Sequence, residues 1–167
     1  MKAMIWKCYG SSSRTGDAGL ELQEIDDPIP GEGEIRVRVR ASSVSTGDCE
    51  VRSLKFRFPL SLFMRAYVGL FRPKRIRILG QELAGVVDAV GTDVTGYTVG
   101  DEVFVQTDFT MGGHAEYRCF VADPEKTECL IAPKPATLSF AQAAVAPLGG
   151  VEALKFLKVA RVEPGER

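Results

Sequence analysis

The chain is poor in the residues and patterns that would assign it a chemistry directly. It has one histidine, His114, and four cysteines, Cys8, Cys49, Cys119 and Cys129, none of them in a C-x-x-C pair. Neither a zinc-ribbon spacing nor a disulfide framework is written in it. An excess of one charge is missing too: 21 basic against 22 acidic side chains leave a net charge of -1, so there is no global attraction to a polyanion, and nucleic acid is not an expected partner. No apolar run reaches the length of a membrane span, since the best candidate, Phe58 to Phe71, is interrupted by Pro59, Arg65 and Gly69. The N-terminus shows no charged-then-apolar leader, which together with unpaired cysteines predicts a cytoplasmic, reducing location. Neither G-x-G-x-x-G nor a P-loop occurs, so a cradle for nucleotide phosphates is not expected, and Gly149-Gly150 reads as a helix break.

What is present is a globular chain of 167 residues with 45% hydrophobic residues, enough for one domain with its own core. The first half reads as strands between turns. In "EIRVRVRAS", Ile35, Val37 and Val39 alternate with Arg36, Arg38 and Arg40, the pattern of a half-buried strand. "LAGVVDAV", the end of "GTDVTGYTVGDEVFV" and "HAEYRCFVAD" follow as further short strands with glycines at their ends, as in a small barrel. Past Pro135 the apolar spacing becomes helical. Ser139 and Gln142 form a capping box, Pro147 is expected to interrupt the helix, and a second helix from about Val151 to Ala160 carries Val151, Leu154 and Leu157 on one stripe. Residues 52–77 stand apart: basic side chains interleave with Phe56, Phe58, Phe63, Tyr67 and Phe71, without an acid.

Taken together, "GQELAGVVDAVGTDVTGYTVGDEV", "GGHAEY", "KPATLSFAQAAVAPLGGVEAL" and "PGER" resemble the catalytic, GroES-like domain of the medium-chain dehydrogenase/reductase superfamily, and its zinc-independent, quinone-oxidoreductase-like branch. The resemblance implies a mainly β fold: a GroES-like, partly open β-barrel over residues 1–135, with the basic lobe inserted at about 52–77. Residues 136–167 would be a helical segment leading toward a Rossmann domain that is absent from this chain. The implied activity is NAD(P)H-dependent reduction of a quinone, enone or related carbonyl by the full two-domain enzyme, with this part inactive alone. NADPH or NADH is the implied cofactor and a small carbonyl or quinone the implied substrate.

The same resemblance assigns site residues. Zinc members carry a Cys where this chain has Ser45 and a His where it has Gln81, and neither replacement competes for Zn²⁺, so no metal is expected. In the zinc-free branch an Asn commonly stands at the Ser45 position, and this chain has no Asn. Ser45 and Asp48 are the implied catalytic residues; Ser45, Thr46, Leu148 and Glu152 the implied cofactor contacts, Glu152 replacing a frequent Thr. Glu82 reads as a structural hydrogen-bonding residue, His114 as a rim residue, and Cys49 as a loop residue without a basic partner. The lobe reads first as a flap whose aromatics pack down and whose arginines face water, and second as a wall of the substrate pocket or a contact for a 2′-phosphate. Third and last comes membrane-surface association, for which basic and apolar residues on opposite faces would be needed. The alternative to an enzyme half is a stand-alone, non-catalytic binding or dimerisation module in which a homodimer covers the helix stripe. A third reading is a degenerate barrel that binds a hydrophobic carbonyl compound without turning it over.

Overall fold

The computed structural model describes residues 1–9, 19–54, 56–162 and 165. Its centre is an antiparallel sheet of β3 (Glu34–Ser42), β4 (Glu82–Val90), β5 (Glu102–Gln106), β6 (Tyr117–Val121) and β7 (Leu130–Pro133), in the order β6-β3-β4-β5-β7. A hairpin-like pair, β1 (Lys2–Trp6) and β2 (Leu20–Glu24), joins it through bridges from Ala3 to Ala115 and from Ile5 to Ile78. The result is a curled, partly open barrel with helices at its C-terminal end, as expected.

Alternation in β3 does what its pattern promises. Ile35 and Val37 are buried with Leu83, Val87, Val103, Val105 and Phe120 in the barrel core, while the guanidinium of Arg36 turns outward and donates to both carboxylate oxygens of Asp88 on β4 at 2.9 and 3.0 Å. The central strand β4 is buried on both faces over Leu83, Ala84 and Gly85, which explains its nearly continuous apolar run. One face meets the core; the other lies under α3 (Phe140–Ala144), whose Ala143 and Ala144 pack on Ala84.

A second layer forms where α1 (Thr46–Ser53) and α2 (Leu60–Val68) fold against β1. Val51, Leu54, Met64, Val68, Ile76 and Leu79 gather around the fully buried Trp6. The segment after Ser45, expected as a loop, is therefore a helix. Ser45-x-x-Asp48 is a capping box of the same type as the predicted Ser139-x-x-Gln142 one, and both are formed.

One strand escaped the sequence reading, and two readings need correction. Strand β7 was not legible, because "LIAP" is too short and too exposed to alternate clearly. Pro147 does not interrupt a helix: α4 runs unbroken over Ala146–Ala160 with Pro147 in its first turn, where no intrahelical N–H bond is given up. Gly149 and Gly150 lie inside α4 and are exposed. At about 1 kcal/mol each relative to alanine they weaken the helix without breaking it. Beyond Pro147 and the half-buried Leu148, α4 is exposed on every side, with Val151, Leu154, Phe156, Leu157 and Val159 all in solvent. Most of the expected "EPGER" terminus lies outside the described residues.

Candidate functional site

The pairing of Ser42 with Leu83 at the end of the β3–β4 ladder brings two chain segments side by side, Ser43–Asp48 leaving β3 and Gly80–Glu82 entering β4. Four of the side chains singled out in the sequence, Ser45, Asp48, Gln81 and Glu82, meet there.

Ser45 is the N-cap of α1. Its Oγ accepts from the Asp48 backbone N–H at 3.2 Å, donates to Asp48 Oδ2 at 2.9 Å and lies 3.1 Å from Gln81 Oε1. One hydroxyl proton cannot serve both acceptors, so the three contacts are satisfied together when the Gln81 amide presents its NH₂ to Ser45. Gly47 makes room for Gln81, since a Cβ there would stand 2.1 Å from Gln81 Oε1. Asp48, 2% exposed, also receives the Ser45 backbone N–H on Oδ2 at 2.9 Å and the Gly80 N–H on Oδ1 at 2.8 Å. Its carboxylate fastens the start of α1 to the entrance of β4.

Glu82 performs the corresponding task on the other side. At 4% exposed, it receives the Ser43 hydroxyl on Oε2 at 2.6 Å and the Leu148 backbone N–H on Oε1 at 2.7 Å. The residue preceding α4, Val145, has no side chain that can cap. Glu82 supplies that cap from a strand, and a carboxylate at a helix N-terminus is favoured by the orphan N–H groups and the dipole. The bond between Glu82 and Leu148 spans 66 residues of sequence, and no local pattern announces it.

Beside this corner lies an apolar cavity of about 280 Å³ whose lining includes Met4, Leu20, Val44, Leu79, Cys49 and His114, with Asp48 and Arg52 at its wall. His114 is fixed by a 2.9 Å contact from Nε2 to the Ser43 carbonyl. Thr46 is exposed on the first turn of α1, and Leu148 reaches the corner through its backbone N–H. Glu152 is exposed on α4. The four sequence-assigned cofactor contacts are thus two at the corner, Ser45 and Leu148, and two on exposed helix positions.

As a metal site the corner offers a hydroxyl, an amide and two carboxylates, Asp48 and Glu82, whose four oxygens are all engaged as hydrogen-bond acceptors, a donor set that does not fit zinc. Among the described residues no three His, Cys, Asp or Glu side chains are grouped to hold a metal. Burial pushes the Cys119 thiol up, and Cys129 is buried with its Sγ 3.7 Å from the Thr107 carbonyl, so both cysteines are packed in the barrel wall.

Residues 31–155 match the family model described as the alcohol dehydrogenase GroES-like domain. Among curated proteins, the chain is 28% identical over 155 residues to the chloroplastic quinone-oxidoreductase QR1 of Triphysaria versicolor, covering 92% of this chain and 40% of that protein. The quinone oxidoreductase structure from Coxiella burnetii superposes with a TM-score of 0.76 at 27% identity, over 99% of this chain and 47% of that one. That of Escherichia coli quinone oxidoreductase complexed with NADPH gives 0.73 at 26% identity, over 99% and 43%. The chain spans less than half the length of each of these proteins.

Proposed function

The chain belongs to the alcohol dehydrogenase GroES-like domain family, and on that premise we propose that it is the substrate-binding half of a zinc-independent NAD(P)H-dependent oxidoreductase, acting on a quinone, enone or related carbonyl. The observation that carries this reading is the corner at Ser45 and Gln81: the two positions where the resemblance puts zinc ligands hold side chains 3.1 Å apart that hydrogen-bond to each other and their neighbours. The relatives named above as quinone oxidoreductases, one of them complexed with NADPH, support the reaction class.

When bound, the reduced nicotinamide supplies hydride. The chain's own residues bind and orient the acceptor. The apolar cavity fits a flat, weakly polar carbonyl compound. At the corner beside it the exposed Thr46 hydroxyl and the second N–H of the Gln81 amide are the donors available to a carbonyl oxygen that gains charge, a polarising role that would otherwise fall to a Lewis acid, while Ser45, whose proton is held by Asp48, orients Gln81. Asp48 is the positioning residue, because it holds Ser45 by both backbone and side chain. Leu148 and Glu152 would bound the cofactor side, with the Glu152 carboxylate left in water. No phosphate cradle belongs to these residues, so the main cofactor surface is assigned to a second domain, and the proposed working place is the cytoplasm.

Calorimetric titration of the 167-residue chain with NADPH tests this. We expect no saturable heat, and unchanged thermal stability on adding zinc, since a ligand binding only the folded state would raise it. Micromolar NADPH binding would replace the half-enzyme reading with a self-sufficient cofactor site, and a zinc-induced rise in melting temperature would end the zinc-independent one.

The uncovered apolar side chains of α4 also support a second reading, a dimerisation module. It predicts a concentration-dependent dimer in sedimentation equilibrium that Leu154→Glu abolishes, whereas the half-enzyme reading predicts no specific dimer through that helix.

A further inference from the structure

The lobe at 52–77 departs from what the sequence promised for it. Its aromatics do not pack down as a set. Phe56 and Tyr67 reach the core around Trp6, but Phe58, Phe63 and Phe71 are 83%, 66% and 88% exposed. In α2 the buried residues Met64 and Val68 face inward with Ser61 partly covered, so the opposite, solvent side of the helix is formed by Leu62, Phe63 and Ala66. A surface helix normally turns its polar face to water; this one turns an apolar face, extended at its two ends by Phe58 and by Leu70 and Phe71.

Cations adjoin the ends of that face along the chain, Arg57 before Phe58 and Arg72 after Phe71. Arg57, Arg72, Lys74 and Arg77 are exposed and have no carboxylate partner among the described residues. Arg72, Lys74 and Arg77 converge with Lys7 on one open cavity of about 450 Å³ next to Trp6 and Pro73. Arg65 and Arg75 lie over the rings of Tyr9 and Tyr67, at 5.2 and 4.1 Å. The chain as a whole carries a net charge of -1, so this concentration of positive charge is local. The patch is also separate from α4, since α2 packs on the Trp6 core while α3, which leads into α4, packs on Ala84.

We propose that this lobe is a docking surface for an anionic lipid bilayer, with Phe58, Leu62, Phe63 and Phe71 entering the headgroup–acyl boundary and Arg57, Arg72, Lys74 and Arg77 pairing with lipid phosphates. Exposed rings and unpaired cations carried on one lobe are complementary to such a surface on two counts, apolar burial and charge. No described helix is long and apolar enough to cross a membrane, so the attachment is peripheral and reversible. It would bring the protein to the bilayer, where a hydrophobic carbonyl substrate of the kind proposed above concentrates. The docking itself does not depend on that reading.

Co-sedimentation of the 167-residue chain with phosphatidylcholine vesicles, with and without phosphatidylserine, tests the proposal. The chain should sediment with the anionic vesicles only, and affinity should fall about fivefold for each cation removed among Arg72→Ala, Lys74→Ala and Arg77→Ala. Phe58→Ser/Phe63→Ser/Phe71→Ser should abolish sedimentation while leaving the circular dichroism spectrum unchanged, because all three rings are exposed. Leu154→Ser/Phe156→Ser in α4 should have no effect. Three results would overturn the proposal: equal binding to neutral vesicles, binding that survives the triple Phe variant and is displaced by inorganic phosphate or duplex DNA, or loss of binding in the α4 variant alone. The first would indicate general stickiness, the second a polyanion site, and the third a lipid contact through the helix.

Discussion

Replacing Asp48 with alanine should lower the stability of the chain by about 3 kcal/mol, and replacing it with asparagine should be nearly as harmful. The carboxylate is 2% exposed and its oxygens accept from the Ser45 N–H, the Ser45 hydroxyl and the Gly80 N–H. Alanine leaves the buried Gly80 N–H and the half-buried Ser45 N–H unpaired and removes the capping box of α1, a loss of about 1 kcal/mol on its own. Asparagine is no rescue, because Oδ1 and Oδ2 each face a backbone N–H that cannot turn round. Whichever way the amide is placed, its NH₂ points at a donor. Urea unfolding with an unchanged m-value is the measurement, and the corresponding fall in melting temperature is about 6–12 °C for a chain of this size. An Asp48→Asn variant within about 0.5 kcal/mol of the parent would show that the carboxylate is not spent on structure and would free it for chemistry.

How far this corner could be read in advance depended on how local its interactions are. The Ser45-x-x-Asp48 box is a contact across three residues and was visible as a spacing, though only the Ser139-x-x-Gln142 box was read as one. The barrel strands were legible where one face is buried, as in Ile35 and Val37 alternating with Arg36 and Arg38, because the period of two reports burial directly. β4 was legible for the opposite reason, an unbroken apolar run under cover on both faces.

What failed depended on the surroundings. Phe58, Phe63 and Phe71 fit a flap whose aromatics pack down, yet the inward positions of α2 are taken by Met64 and Val68. Gly149 and Gly150 look like punctuation, but with Pro147 in the first turn the helix is already under way when it reaches them. The tie from Glu82 to Leu148 was invisible because its partner is a backbone N–H, which every residue but proline possesses.

That tie gives the second large effect, and its chemistry predicts a different pattern. Glu82→Ala should cost about 3 kcal/mol, since it strips a half-buried hydroxyl and a helix-start N–H of their only charged acceptor. Glu82→Gln, unlike Asp48→Asn, should cost only about 1 kcal/mol. The reason lies in the partners: the amide oxygen can take the Leu148 N–H, and its NH₂ can donate to Ser43 Oγ, whose hydroxyl rotates from donor to acceptor. Only the charge assistance at the N-terminus of α4 is lost. Hydrogen exchange reads this site directly, because the Leu148 N–H lies in the first turn of α4, where no intrahelical acceptor exists. Its protection should survive Glu82→Gln and vanish in Glu82→Ala. If the two variants behave alike, the bond to Leu148 does not hold α4 to the barrel. In that case the helix that would bound the cofactor side of the site is held by the buried Pro147 and its packing on α3 and β5.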